Sequence, residues 1–229
     1  MADTTPSTLA GTYDLVAEEY ARRLTRELEG KPFDRLMLDQ FAEKVGDGAV
    51  ADVGCGPGHV GRYLHDAGAT GVFGLDVSPG MVATAQALNP SMRFSVGDMT
   101  AMEHENASLD GVLSFYSIVH TPTHKLARPL LEWARVTRLG GWLLLAFHHG
   151  SDPATRKVTR QMSEWWGYDV DVTFTFHPRG GVAAILRQTG WKVFDSMERP
   201  PYGEDVEYPS RRAYILAQRK DMPQPLSRR

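Results

Sequence analysis

Residues 50–58 read VADVGCGPG, a short run of mostly apolar residues that ends in a cluster of three glycines. The apolar run predicts a buried strand, and a helix is predicted to begin at His59, directly after the glycines. Glycines at such a turn let the backbone bend tightly and approach a ligand, while the unpaired N–H groups of the helix start face it. The stretch therefore predicts a ligand-binding loop in a sheet whose strands alternate with helices.

The alternation of strands and helices continues along the chain. Apolar runs predict strands over residues 49–53, 71–75, 92–96, 111–115, 142–147, 191–198 and 212–218. Periodic or capped segments predict helices over residues 13–24, 32–45, 59–67, 129–139 and 181–189, and from Pro79 onward with Ser78 as N-cap. Because only residues 200–209 separate the last two strands, that pair is expected to be antiparallel. The pattern predicts an α/β fold, a Rossmann-like, seven-stranded, mostly parallel sheet with an antiparallel last strand and helices on both faces.

The chain is expected to form one domain over residues 1–229. Residues 10–46 are predicted to form a helical cap, whose first helix serves as an N-terminal lid. Residues 150–178 form an insertion after the fifth strand, with an amphipathic piece (Val158, Met162, Trp165) followed by strict alternation from Tyr168 to Phe176. An insertion there is expected to act as a lid or pocket wall over the carboxyl ends of the strands, where open α/β sheets bind ligands. The polar ends, residues 1–9 and 220–229, are expected to be disordered.

Composition excludes several classes of protein. The 229 residues carry 25 basic and 28 acidic side chains, a net charge of −3, which argues against a nucleic-acid-binding surface. The longest apolar run, residues 142–147, is too short to span a bilayer, and the N-terminus lacks the features of a signal peptide. The single cysteine, Cys55, excludes an intramolecular disulfide and a cysteine-cluster metal site. These features predict a cytoplasmic protein that binds neither nucleic acid nor membrane.

Two classes of cofactor compete for the glycine loop. Residues 56–61 (GPGHVG) match the dinucleotide pattern G-x-G-x-x-G, and Asp76 follows about 20 residues later, as that pattern requires. However, the first glycine after the strand is Gly54, so the matching hexapeptide is displaced into the helix. Asp52 at the strand end would repel a pyrophosphate but attract an ammonium group. Asp98, just beyond the third strand, is a suitable acceptor for an adenine amino group.

Five segments together resemble the motifs of the class I S-adenosylmethionine-dependent methyltransferases, of the type that acts on small molecules. They are residues 50–58 (VADVGCGPG), 74–81 (GLDVSPGM), 96–99 (VGDM), 110–115 (DGVLSF) and 139–145 (LGGWLLL). The resemblance covers about residues 10–220, in the family's order and spacing. It implies S-adenosyl-L-methionine as the cofactor.

The resemblance also implies which residues hold that cofactor, and they are Tyr13, Tyr20, Asp52, Gly54, Cys55, Gly56, Gly58, Asp76, Val77, Met81, Asp98, Met99 and Phe115. Within this set, Asp52 would face the amino group, and Asp76 would accept both ribose hydroxyls. Asp98 would accept from the adenine amino group. The helix that carries Tyr13 and Tyr20 would close over the bound cofactor, and Cys55 is given no catalytic role.

The implied reaction is in-line methyl transfer to a small-molecule acceptor, with oxygen or nitrogen as the expected methylated atom. Positioning and exclusion of water supply much of such catalysis, and a general base helps where the acceptor must lose a proton. His148 and His120, which follow the fifth and fourth strands, are the candidate catalytic bases. The expected acceptor pocket is lined by Tyr116, His149, Trp165, Trp166 and Tyr168, an aromatic set that suits a flat or partly apolar molecule.

Other interpretations stay open. The chain is expected to bind no metal, because adjacent side chains such as His148 and His149 point in opposite directions on a strand. It is expected to act as a monomer or a homodimer. The alternatives to methyl transfer are a protein that binds S-adenosylmethionine without chemistry, or an aminopropyltransferase, which would need several carboxylates at the active edge. A dehydrogenase is a further alternative.

Overall fold

The structure is a computed structural model that describes residues 6–221, with side chains from residue 9 onward. The first helix, α1, spans Pro6–Leu24 and so begins within residues 1–9, for which the sequence predicts disorder. At the other end, the backbone N–H of Lys220 still donates to the carbonyl of Gly190 at 3.0 Å. The remainder of both predicted disordered ends, residues 1–5 and 222–229, lies outside the described residues.

The chain alternates between helices and strands as the sequence predicts. After α1 the helices are α2 (Pro32–Val45), α3 (His59–Asp66), α4 (Pro79–Leu88), α5 (Ala127–Val136) and α6 (Arg179–Gln188). The strands are β1 (Val50–Val53), β2 (Val72–Asp76), β3 (Arg93–Val96), β4 (Leu109–Phe115), β5 (Thr137–His149), β6 (Thr159–Trp165), β7 (Tyr168–Thr175), β8 (Trp191–Arg199) and β9 (Arg211–Arg219).

Seven of these strands form one sheet in the order β3-β2-β1-β4-β5-β9-β8. The strands from β3 to β5 pair in parallel, whereas β9 is antiparallel to both of its neighbours, β5 and β8. The Rossmann-like fold class is therefore confirmed, including the antiparallel last strand. The strand order reverses between β1 and β4, which places a crevice at their carboxyl ends.

The core lies on both faces of this sheet. On β5, successive side chains point to opposite faces, so Leu143, Leu145 and Phe147 join one buried cluster while Leu144 and Ala146 join the other. The first cluster is closed by α5 and α6, and Trp133 and Trp191 are its largest fully buried side chains. The second cluster is closed by α2. Burial on both faces explains why the strand reads as a continuous apolar run.

One segment differs from its sequence-based prediction, and another takes a form that the sequence does not predict. Helix α5 ends at Val136 rather than at residue 139, because Thr137 already pairs with Leu109 of β4 and begins the long strand β5. The amphipathic piece of the insertion is a strand, β6, whose Met162 pairs with Val172 of β7. The β6–β7 pair forms a separate two-stranded sheet. Pairing with the alternating segment overrides the helical spacing of the apolar residues in β6.

Candidate functional site

The glycine loop connects β1 to α3 at the carboxyl edge of the sheet. Gly54, Gly56 and Gly58 all have positive φ angles, of 69°, 53° and 79°. At Gly54 a Cβ atom would lie 2.4 Å from the Cβ of Ser117, so any larger residue would collide with the segment after β4. The three glycines thus give this loop a left-handed backbone and a close approach that other residues do not tolerate.

Asp76, the last residue of β2, holds the glycine loop to the start of α4. Its Oδ2 accepts the N–H of Gly56 at 2.8 Å, and its Oδ1 accepts the N–H of Ser78 at 2.9 Å. Burial raises the pKa of Asp76, and the backbone N–H bonds oppose that rise. Because a carboxylate has about four acceptor positions, it can still accept from the two hydroxyls of a ribose.

Asp52, in the neighbouring strand β1, has an unmatched buried oxygen. The residue is 2% exposed, and its Oδ2 has no hydrogen-bond partner among the described residues. Burial and the nearby Asp76 raise its pKa to about 7. A buried carboxylate oxygen without a partner is costly unless a ligand supplies one. An ammonium group at this position fits that need, so the carboxylates of Asp52 and Asp76 suit the amino acid and ribose ends of S-adenosylmethionine.

The other predicted cofactor residues lie in two kinds of surroundings. Val77 and Asp98 are partly exposed beyond β2 and β3, and Asp98 accepts the N–H of Thr100 at 2.7 Å. Met99 is also partly exposed, while its carbonyl accepts the indole N–H of Trp133 at 3.0 Å.

By contrast, Cys55, Met81 and Phe115 are buried. Met81 packs on Val16 of α1, and the ring centroid of Phe115 lies 5.1 Å from that of Tyr116. Burial raises the pKa of the Cys55 thiol, in agreement with its lack of a catalytic role. These three side chains therefore pack in the protein interior around the glycine loop.

Helix α1 lies over the glycine loop and is anchored there by Asp14. The Asp14 carboxylate accepts the hydroxyl of Ser78 at 2.6 Å and the N–H of Gly80 at 2.7 Å, at the N-terminus of α4. Tyr20 covers the loop directly, because its Cε1 lies 3.9 Å from a Cβ built on Gly56. Asp14 is not among the residues predicted from the sequence, since nothing in its local surroundings distinguishes it from a solvated acid on α1.

The insertion packs on α1 through an aromatic cluster formed by Tyr13, Tyr20, Trp165 and Trp166. The ring centroid of Trp165 lies 5.7 Å from that of Tyr13, 5.9 Å from that of Tyr20 and 4.9 Å from that of Trp166. The guanidinium of Arg23 lies 5.2 Å from the ring of Trp166, and Tyr168 packs against the same part of α1. The structure therefore brings four predicted substrate or cofactor aromatics together as the contact between α1 and the β6–β7 hairpin.

His120 joins helix α1 to the sheet edge and to the insertion. Its Nδ1 lies 3.0 Å from the carbonyl oxygen of Thr173, and its Nε2 lies 2.7 Å from the hydroxyl of Tyr13. Because a carbonyl only accepts, Nδ1 carries the proton and Nε2 accepts from Tyr13. Burial lowers the pKa of His120 to about 4, so the ring is neutral at physiological pH.

His148, at the end of β5, is half-buried next to the ring of Tyr116. Its ring centroid lies 5.6 Å from that of Tyr116 and 5.6 Å from that of Phe176. Its Nδ1 lies 2.7 Å from the hydroxyl oxygen of Ser210, which also accepts from Arg212. Burial lowers the pKa of His148 well below its usual value, and the positive charges of Arg212 and Lys31 lower it further.

His149 does not join this group. Its Nε2 lies 2.9 Å from a carboxylate oxygen of Glu198 on β8, and its Nδ1 lies 3.0 Å from the carbonyl of His177. It therefore lies on the side of the strand opposite to His148, as alternation along β5 requires. Of the predicted substrate residues, Tyr116 lies beside His148, while the two tryptophans and Tyr168 lie at the contact between α1 and the β6–β7 hairpin.

Tyr116 is held by a buried network of charged side chains. None of these charged residues is among those predicted from the sequence. Tyr116 has a positive φ of 59°, and its hydroxyl donates to Asp34 at 2.9 Å. Asp34 also pairs with Arg199 at 2.7 Å, and Arg199 pairs with Glu207. A sequence signal for this network exists in the charged residues that flank apolar strands, such as Arg199 at the end of β8.

The described chain, residues 6–221, shows neither a metal-binding cluster nor a membrane span. Within that range no group of three or more histidine, cysteine, aspartate or glutamate side chains is placed to hold a metal ion. No helix in the same range is both long and apolar enough to cross a membrane.

Comparison with known proteins gives a family for the central part of the chain. Residues 50–141 match the model of a methyltransferase domain. Over 152 residues the chain is 32% identical to the demethylmenaquinone methyltransferase of Renibacterium salmoninarum. That alignment covers 64% of this chain and 62% of the relative, so the chain spans less than two thirds of the relative's own length.

Solved structures share the fold over almost the whole chain. The [4+2]-cyclase SpnF has a TM-score of 0.70 at 16% identity, covering 94% of this chain and 97% of that one. The magnesium protoporphyrin IX methyltransferase of Synechocystis PCC 6803 with bound S-adenosylmethionine has a TM-score of 0.67 at 17% identity, with the same coverage. At these identities the likeness shows the fold alone.

Proposed function

We propose that the chain is a class I S-adenosylmethionine-dependent methyltransferase that transfers a methyl group from S-adenosylmethionine to a small-molecule acceptor, and the match of residues 50–141 to a methyltransferase domain and the 32% identity to a methyltransferase over 152 residues support this. The observation that carries the proposal is the pair of buried carboxylates at the glycine loop. Asp52 has an oxygen without a partner among the described residues, and Asp76 fixes the loop while retaining acceptor positions for a diol. A nicotinamide dinucleotide would bring its negatively charged pyrophosphate to the glycine loop beside Asp52, which disfavours a dehydrogenase.

The bound cofactor would supply a methyl group that is already activated on a sulfonium centre. In this proposal the chain's residues bind the cofactor, orient the acceptor and exclude water. Asp52 and Asp76 hold the amino acid and ribose ends, and Asp98 with Met99 holds the adenine. The aromatic cluster of α1 and the β6–β7 hairpin would cover the site, because Tyr20, which packs on Trp165, lies beside Gly56 of the glycine loop. Exclusion of water strengthens electrostatic contacts and prevents hydrolysis.

The acceptor is proposed to bind next to His148 and Tyr116, with His120 at the inner end of the site. Lys31 and Arg212 both lie close to this region, 5.6 Å and 5.5 Å from the centroid of the Tyr116 ring. Cations at this edge would repel a polyamine, which disfavours an aminopropyltransferase. Demethylmenaquinone, which the name of a relative gives as its substrate, supports a small organic acceptor.

The test is binding followed by turnover. Calorimetry should show binding of S-adenosylmethionine and no comparable binding of NAD⁺. The full-length chain should then transfer isotopically labelled methyl to a component of a metabolite extract, detected by mass spectrometry. Binding without transfer would favour a protein that binds the cofactor but does not transfer its methyl group. The [4+2]-cyclase SpnF, which shares the fold, is named for a reaction other than methyl transfer.

A pH dependence of cofactor binding is expected from Asp52. Its pKa of about 7 means that the carboxyl is half protonated near neutral pH before the cofactor binds. Only the ionised form pairs with an ammonium group, so affinity is expected to fall as pH decreases through 7. The expected loss of affinity is about tenfold between pH 8 and pH 6.

Calorimetry at the two pH values measures this loss, and Asp52→Asn should remove the pH dependence. An equal affinity at both pH values would contradict the pairing.

Helix α1 is expected to act as a lid. Binding of the cofactor should slow hydrogen exchange over residues 9–24, because the helix packs across the site. Asp14→Ala removes the acceptor for Ser78 and Gly80, so it should speed exchange in the same residues without affecting β5. Glu18→Ala, an exposed change on the same helix, is the control. Exchange that does not respond to the cofactor would make α1 a fixed helix.

We also propose that the protein acts in the cytoplasm as a monomer or homodimer. Support comes from its composition, which combines a single cysteine with a mild net charge of −3.

A further inference from the structure

The two histidines of the proposed acceptor site differ in which ring nitrogen is free. In His120 both nitrogens are occupied, since Nδ1–H donates to Thr173 and Nε2 accepts from Tyr13. In His148 only the Nδ1 contact, to Ser210, is defined. The nitrogen of His148 that carries the ring proton therefore determines whether the ring offers an acceptor molecule an N–H donor or a basic nitrogen.

Ser210 determines the position of that proton. The residue is 1% exposed, so its hydroxyl proton needs a partner within the protein. Its oxygen contacts two side chains, Arg212 and His148. A guanidinium only donates, which leaves the Nδ1 of His148 as the acceptor for the hydroxyl proton. The neutral ring then carries its own proton on Nε2.

We propose that His148 is an N–H donor rather than a base, positioned by Ser210, and that the acceptor molecule carries a carboxylate whose oxygen receives the methyl group. This inference rests on the methyl transfer proposed above. Neither histidine offers a free basic nitrogen, because Tyr13 occupies the lone pair of His120 and Ser210 that of His148. The hydroxyl of Tyr116 also donates its proton, to Asp34. An acceptor that had to lose a proton would find no base among these groups.

The charges around His148 favour the same acceptor. Arg212 on β9 and Lys31 before α2 both lower the pKa of His148, and the neutral rings of His120 and His177 add no negative charge. The acids of this region are already in ion pairs, Glu207 with Arg212 at 3.3 Å, Glu27 with Lys31, and Asp34 with Arg199 at 2.7 Å. An imidazolium would add a further positive charge here, whereas a carboxylate would be attracted.

The reaction balances without a base. A lone pair of the carboxylate oxygen forms the new bond to the methyl carbon, and the carbon–sulfur bond breaks with its electron pair remaining on sulfur. The products are a methyl ester and a neutral thioether, and no proton is released. The Nε2–H of His148 would orient the carboxylate by a hydrogen bond to its second oxygen.

The first test reads the His148 tautomer directly and requires no turnover. In the full chain labelled with ¹⁵N-histidine, long-range ¹H–¹⁵N correlation distinguishes the two ring nitrogens, and loss of one ring's signals in His148→Gln assigns them. We expect Nε2 protonated and Nδ1 unprotonated from pH 6 to pH 8. Ser210→Ala should shift the ring toward the other tautomer, and Ser210→Thr should retain the wild-type signals. A wild-type ring protonated at Nδ1, or on both nitrogens, would overturn the proposal.

The second test separates a donor from a base by the choice of substituent. The amide of His148→Gln supplies an N–H group but no basic nitrogen, whereas the ring of His148→Phe supplies neither an N–H group nor a basic nitrogen. We expect kcat to fall less than about tenfold in the first variant and more than about 100-fold in the second. His65→Gln on α3 controls for the substitution itself. A loss of equal size in both His148 variants would overturn the donor role.

The third test identifies the product class. Label transferred from S-adenosylmethionine to an extract component should be released as methanol by mild alkali, as expected of a methyl ester, and kcat should be constant from pH 6 to pH 8. Label that resists alkali, as in an ether or a methylated amine, would overturn the carboxylate inference while leaving methyl transfer intact. Failure to bind S-adenosylmethionine at all would instead overturn the proposed function.

Discussion

Replacing Asp76 by alanine is expected to weaken binding of S-adenosylmethionine by roughly 2–4 kcal/mol, or about 30- to 1,000-fold in Kd. The variant would lose the acceptor for the ribose hydroxyls. It would also free the N–H groups of Gly56 and Ser78, which the carboxylate now holds at 2.8 Å and 2.9 Å. The effect is expected to be large because the same side chain binds the ligand and orders the loop that surrounds it.

Calorimetry of wild type and variant with S-adenosylmethionine and its demethylated product measures this loss. Asp66→Ala, at the exposed end of α3, is the matched control and should leave the affinity unchanged. Asp76→Asn retains an acceptor oxygen and should give an intermediate value. If Asp76→Ala folds and binds with wild-type affinity, the ribose assignment is wrong.

The second large effect concerns stability. Replacing Asp34 by alanine is expected to lower the free energy of unfolding by about 3–5 kcal/mol, because it breaks a buried ion pair from one side. Asp34 is fully buried and accepts hydrogen bonds from Arg199 at 2.7 Å, from Tyr214 at 2.8 Å and from Tyr116 at 2.9 Å. Its removal leaves two hydroxyls and part of a guanidinium without this acceptor.

Urea denaturation of the cofactor-free protein measures the change, provided that the slope with denaturant stays constant. Arg199→Met should also destabilise, and the double variant should lose less than the sum of the two, because the two groups interact directly. Arg22→Ala, which breaks only an exposed pair with Glu19, should change stability by less than about 1 kcal/mol. A loss below about 1 kcal/mol for Asp34→Ala would show that the network contributes little.

The aromatic contact between α1 and the β6–β7 hairpin shows how much local sequence can predict. The chain order is sufficient to locate the insertion after β5. That its Trp165 packs on Tyr13 and Tyr20 follows from residues more than 140 positions apart meeting in space. The hairpin itself is not evident from the sequence, because β6 has apolar residues at helical spacing. Its strand form depends on pairing with β7.

Local sequence was sufficient to predict the fold class, the glycine loop and the two carboxylates at the ends of β1 and β2. Burial on both faces gives an unbroken apolar run, and tight turns need glycine, so these features leave a local pattern. The states of the histidines, in contrast, depend on tertiary contacts. His120 is bound by Tyr13 and Thr173, and His148 by Ser210, partners that lie between 53 and 107 residues away. A ring nitrogen is a donor or an acceptor according to the atom that faces it, and no local pattern specifies that atom.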